Sequence, residues 1–111
     1  AGELKHGPLA LIENNIPVIV LAPFDENYYK LLSNIQEVKA RGGRIIMITD
    51  KDGAKKAKKY CDQIAIIPQT NFITSPILYS LPIQLIAYYL AVFLGTDVDQ
   101  PRNLAKSVTV E

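Results

Sequence analysis

Residues 17–49, PVIVLAPFDENYYKLLSNIQEVKARGGRIIMIT, decide the fold. The stretch opens and closes on apolar blocks, Val18–Leu21 and Arg44–Thr49, each nearly continuous rather than alternating. Strands covered on both faces read this way, which is the habit of parallel sheets flanked by helices. Between the blocks, Tyr28, Leu31, Leu32, Ile35 and Val38 recur at helical spacing. Asp25 is the expected N-cap and Gly42 the expected stop. Glu26 with Lys30, and Glu37 with Arg41, stand one turn apart as supporting ion pairs. A strand, a helix and a second strand in this order predict a right-handed parallel crossover.

Working outward, Gln63–Ile67 before Pro68 reads as a third strand of the same kind. A short lysine-rich helix is expected over Gly53–Tyr60. Asp50, Asp52 and Asp62 flank its lysines, so a solvated face is expected rather than a basic binding patch. Ser75-Pro76 opens a long helix, serine as cap and proline in the first turn, that runs to Gly95; Pro82 should kink it. The sum is an α/β chain with a three-layer arrangement around a parallel sheet. Three strands make a thin sheet of this type, and an exposed edge would need a neighbour. Ile77–Leu94 is uncharged and about long enough to span a bilayer. It also holds Ser80, Pro82, Gln84 and three tyrosines, which favours a helix buried in a larger assembly over a membrane span.

Composition excludes several functions. The 111 residues are 49% apolar, enough for one small domain with a core. A formal charge of +1 gives no electrostatic case for nucleic acid or an anionic membrane. The single cysteine, Cys61, rules out an internal disulfide, fits a reducing cytoplasm and reads as a small apolar residue. One histidine and scattered aspartates offer no metal-ligand spacing, and Gly42-Gly43 is a helix stop rather than a nucleotide loop. No cofactor is expected. The chain begins without Met and without a signal pattern, as a piece of a longer protein would.

Two segments at opposite ends remain. Residues 95–111, GTDVDQPRNLAKSVTVE, bury little apolar surface, yet end in the alternating Ser107-Val108-Thr109-Val110, a strand-like tail. Lys106 sits there between Ala105 and Ser107, as a placed amine would. Near the other end, residues 2–11 read GELKHGPLAL. Both segments, in this order, resemble the signatures of the glutamine–fructose-6-phosphate aminotransferase family, also called glucosamine-6-phosphate synthases. The PVIVLAP block with its helix fits that family's second sugar-isomerase (SIS) domain, so the resemblance covers essentially the whole chain.

The resemblance implies a partial SIS-type αβα fold, its first strand and helix lying upstream of residue 1. Residues 1–94 would be the carboxy-terminal part of that SIS domain and 95–111 its catalytic tail. It implies a cytoplasmic homodimeric enzyme that makes glucosamine 6-phosphate from fructose 6-phosphate and glutamine-derived ammonia. A glutaminase domain and another SIS domain would precede this segment. Lys106 matches the lysine that forms a Schiff base with the open-chain ketose, a step that requires an unprotonated amine. His6 matches the ring-opening residue, reaching the neighbouring subunit's active site. Ala105 matches a backbone contact to the sugar; Arg102, Leu104 and Val108 belong to the tail that shapes the site and the ammonia channel. Glu3 is not expected to be the isomerising base, which lies upstream in the family. The Ser/Thr-rich phosphate loop belongs to the preceding SIS domain, leaving Thr70, Thr74 and Ser75 as loop and cap residues. The competing readings are a sugar-phosphate-sensing SIS module without turnover and a dimerisation module.

Overall fold

The structure, a computed structural model of the chain, describes residues 2–100. It divides into two units, Ala1–Tyr79 and Ser80–Glu111.

In the first unit three strands form one sheet in the order β1-β2-β3: β1 Pro17–Ala22, β2 Arg44–Thr49 and β3 Gln63–Ile66. Both pairings are parallel, Val18 opposite Ile45 and Met47 opposite Ile64. Helix α1, Tyr28–Ala40, links β1 to β2, and α2, Lys51–Ala57, links β2 to β3. The α/β class and the all-parallel sheet agree with the expectation from the apolar blocks.

Alternate strand residues explain the core. Val18, Val20 and Ala22 of β1 and Ile45 and Met47 of β2 pack with Tyr28, Leu32, Ile35 and Val38 of α1. Ala57 of α2 joins the same cluster. At roughly 1.5–3 kcal/mol per fully buried large side chain, this cluster is the main stabilising term. The neighbouring residues of β1 point the other way, and Ile19 and Leu21 remain 40% and 39% exposed. Along β1 and α1 runs a groove of about 300 Å³ lined by Leu4, Val18, Val20, Leu31, Ile35 and Val38.

The helix ends differ from expectation in detail. Helix α1 begins at Tyr28, because the Asp25 carboxylate is already used one turn earlier, accepting from the Asn27 N–H at 2.8 Å. Glu26 therefore lies ahead of the helix, and Glu37 pairs with Lys5 at 3.0 Å instead of Arg41. The stop is as expected. Gly42 adopts φ 84°, and the N–H groups of Gly42 and Gly43 return to the carbonyls of Lys39 and Val38 in a Schellman arrangement. Helix α2 starts two residues before Gly53, capped by Asp50.

Helix α3, Ser75–Phe93, runs on through Pro82. Ser75 lies inside it rather than capping it. Asn71 closes the turn that leads into the helix, its Oδ1 accepting from the N–H of Ile73 (2.9 Å) and Thr74 (3.0 Å). The Thr70 and Thr74 hydroxyls bond to each other in the same turn. In the second unit Gly95, φ 68°, ends the helix as expected, its N–H and that of Thr96 bonding the Val92 and Ala91 carbonyls. Among the described residues α3 is the one helix long and apolar enough to cross a membrane by length and composition.

Candidate functional site

His6 lies in a short 3₁₀ turn, η1, Gly2–His6. Three residues make one turn there, so Glu3 and His6 stand one above the other. The His6 Nδ1 lies 2.8 Å from Glu3 Oε2, and the two side chains are 73% and 89% exposed. The turn is tied down from its other side. Leu4 packs against the core, and the Lys5 ammonium holds Glu37 of α1. Gly7 then turns the chain at φ 149°, ψ −55°, a conformation that L side chains rarely adopt. A second 3₁₀ turn, η2, Pro8–Leu11, follows. The GELKHGP motif thus presents a histidine outward on a turn anchored by its neighbours.

A cleft lies where the strands end, the usual place for ligands in parallel α/β sheets. It measures about 540 Å³ and is lined by Phe24, Asp25, Asp50, Gln69, Asn71 and Tyr79, among others. Its floor is a hydrogen-bonded joint. The Asp50 carboxylate, 5% exposed, accepts from the N–H of Asp52 (3.0 Å) and Gly53 (2.9 Å) through Oδ1. Through Oδ2 it accepts from Phe24 N–H at 2.8 Å. Tyr28 donates its hydroxyl to the Gly53 carbonyl at 2.5 Å, and Thr49 donates to the Ala22 carbonyl at 2.5 Å. Gly53 has to be glycine, since a Cβ would lie 2.1 Å from Thr49 Oγ1. The loops after β1 and β2 are thereby locked together.

The two tyrosine hydroxyls here are not poised for proton transfer. Burial first, then the charges near it, pushes the Tyr28 hydroxyl up to about 12. Burial followed by the Asp50 charge does the same to Tyr79, also to about 12. The buried Tyr79 hydroxyl has no well-formed hydrogen bond, although Thr49 and Asp50 lie beside it. Both folded values lie above the ordinary 10.0, so between pH 10 and 12 the unfolded chain releases protons that the folded chain keeps. Stability present below about pH 10 should therefore fall as pH rises toward 12, by on the order of 2 kcal/mol per tyrosine. Urea unfolding at about pH 9 and about pH 11.5 checks this, the Tyr28→Phe and Tyr79→Phe variants each losing part of the slope.

Burial, with the Asp62 charge next, raises the thiol of half-buried Cys61, which contacts Met47 Sδ at 3.9 Å. That agrees with its reading as an apolar residue. Asp62 is held below the usual carboxylate range by the Lys39 ammonium and then by the Ile45 N–H; it is a surface tie between α1 and β3.

Of the residues expected to act, His6 is described; Arg102, Leu104, Ala105, Lys106 and Val108 lie outside the described residues. Sequence reasoning missed Asp50 as the joint of the strand ends. The available signal was an aspartate directly after an apolar block with glycine three positions on, an N-cap pattern.

Comparison with known proteins is consistent with this picture. The SIS domain family matches residues 1–94. Glutamine–fructose-6-phosphate aminotransferases (isomerizing) of Rhizobium meliloti and Mesorhizobium japonicum are 61% and 62% identical to this chain over all 111 residues. That alignment spans 18% of each relative's length. Among solved structures, the C-terminal domain of glucosamine-fructose-6-phosphate aminotransferase from Francisella tularensis superposes with TM-score 0.75 at 40% identity. It covers 87% of this chain and 27% of that one. The resemblance read from the two end motifs therefore holds across the chain, and by the match over residues 1–94 this chain belongs to the SIS domain family.

Proposed function

We propose that this segment is the carboxy-terminal part of the isomerase domain of an enzyme that makes glucosamine 6-phosphate from fructose 6-phosphate and glutamine-derived ammonia. The observation that carries the reading is the identity of 61–62% over every residue of the chain, end motifs included, to aminotransferases of that name. In this reading residues 1–94 complete an SIS domain whose preceding strand pairs with the open side of β1. Residues 95–111 form the catalytic tail. The exposed apolar residues of α3, such as Leu85, Tyr88 and Val92, face the rest of the assembled, cytoplasmic enzyme.

The chemistry divides between two residues. His6 of one subunit serves the sugar in its neighbour. It takes the proton of the anomeric hydroxyl and returns it to the ring oxygen as that carbon–oxygen bond breaks, with no net proton consumed. Lys106 then adds to the exposed ketone and loses water to give an imine. Ala105 holds the sugar through its backbone, and Arg102, Leu104 and Val108 shape the tail and channel exit. A surface-exposed His6 suits delivery into a second subunit's site.

The test is an assay of the full-length protein that contains this segment, supplied with fructose 6-phosphate and glutamine. Glucosamine 6-phosphate should form, and the isolated 111 residues should form none. A full-length protein that binds sugar phosphate without turnover would favour the regulatory SIS reading instead.

A further inference from the structure

We infer that Glu3 is a positioning residue for His6, fixing which imidazole nitrogen meets the sugar. The inference rests on the ring-opening reading of His6 and adds to it. An ionised carboxylate can only accept hydrogen bonds. Its oxygen lies 2.8 Å from His6 Nδ1, so in the neutral ring Nδ1 carries the hydrogen and Nε2 carries the lone pair. Nε2 is then the nitrogen free to take the anomeric proton and to hand it back to the ring oxygen.

The local fold explains why Glu3 can do this. In a 3₁₀ turn residues three apart eclipse, so the carboxylate is set over the ring by backbone geometry. Leu4 and Lys5 face the body of the domain, through the core and through Glu37, and this leaves Glu3 and His6 to project together. Gly7 at φ 149° ends the turn directly after the histidine and fixes where the pair points. Left in water, an exposed pair of this kind is weak. Carried into a partner's site and stripped of water, the same contact would hold the ring in one tautomer and one orientation.

Glu3 is itself outside any core, so its replacement leaves the fold intact. Three variants of the full-length enzyme, Glu3→Gln, His6→Ala and the double variant, are compared on fructose 6-phosphate and on an analogue that cannot close its ring. Glu3→Gln should lower kcat on the ring-closing substrate roughly tenfold, below the 10²–10⁴-fold that general acid–base catalysis contributes. On the open-chain analogue it should change little. The double variant should be no slower than His6→Ala, because Glu3 acts only through the ring. If His6→Ala separates the two substrates but Glu3→Gln slows both equally, or if the losses add in the double variant, the positioning role is overturned while ring opening by His6 stands. If His6→Ala itself slows both substrates equally, the ring-opening reading falls and this inference with it.

Discussion

Replacing Asp50 with alanine should destabilise the domain by about 3–5 kcal/mol, the cost of removing one partner from a buried charged hydrogen-bond network. The physical reason is local. Three backbone N–H groups, those of Phe24, Asp52 and Gly53, end on this one carboxylate. Without it these donors lose their acceptor beside the buried Tyr28, Thr49 and Tyr79, where each unpaired donor costs free energy. The N-cap of α2 goes at the same time. Asp50→Asn is the informative companion. Its amide oxygen can still serve the two helix donors, but its amino group would face the Phe24 N–H, so an intermediate loss is expected. Thermal unfolding of the full-length protein reads this directly, with a downward shift of several degrees, roughly 5 °C, expected for alanine. An unchanged midpoint for alanine would mean that the joint at the strand ends does not hold the two loops together.

The second large effect concerns activity. If Lys106 forms the imine as proposed, Lys106→Arg in the full-length protein should reduce kcat by roughly 10³-fold or more, because the substitution removes a covalent participant. Arginine keeps the charge and much of the length of lysine. It cannot release its proton near neutral pH, so it cannot add to a ketone. KM for the sugar should change far less than kcat, because the imine forms after the sugar is bound. A tail lysine that only supports packing or an ion pair would tolerate arginine, and activity within a few-fold of the parent would place the nucleophile elsewhere.

Much of the fold was legible because the strands are nearly unbroken apolar runs and helices α1 and α3 are closed by glycine. Val18–Leu21 and Arg44–Thr49 became β1 and β2 nearly to the residue, and Gly42 and Gly95 close their helices at positive φ. Helix starts were less legible. Asp25, Asp50, Asn71 and Ser75 are all chemically able to cap, and the choice among them depends on tertiary partners. Asp25 closes a turn of its own, Asp50 is fixed by reaching across to Phe24, and Asn71 closes the turn ahead of α3. The Glu37 pairing went the same way, because Lys5 arrives from a distant turn and competes with the neighbour one helical turn on. For the site, His6 was singled out through the family resemblance of its motif, and the structure adds where that motif lies. The contact with Glu3 was not visible in the sequence, since spacing of three means adjacency only once the segment is known to be a 3₁₀ turn.

The central claim is that the Lys106 amine becomes covalently joined to the ketose. The decisive measurement is borohydride reduction of the full-length enzyme in the presence of fructose 6-phosphate, followed by peptide mapping. A hexose-phosphate adduct on Lys106, absent from Lys106→Arg, is the result expected. An active enzyme that yields no adduct, or one labelled at another lysine, would contradict the assignment.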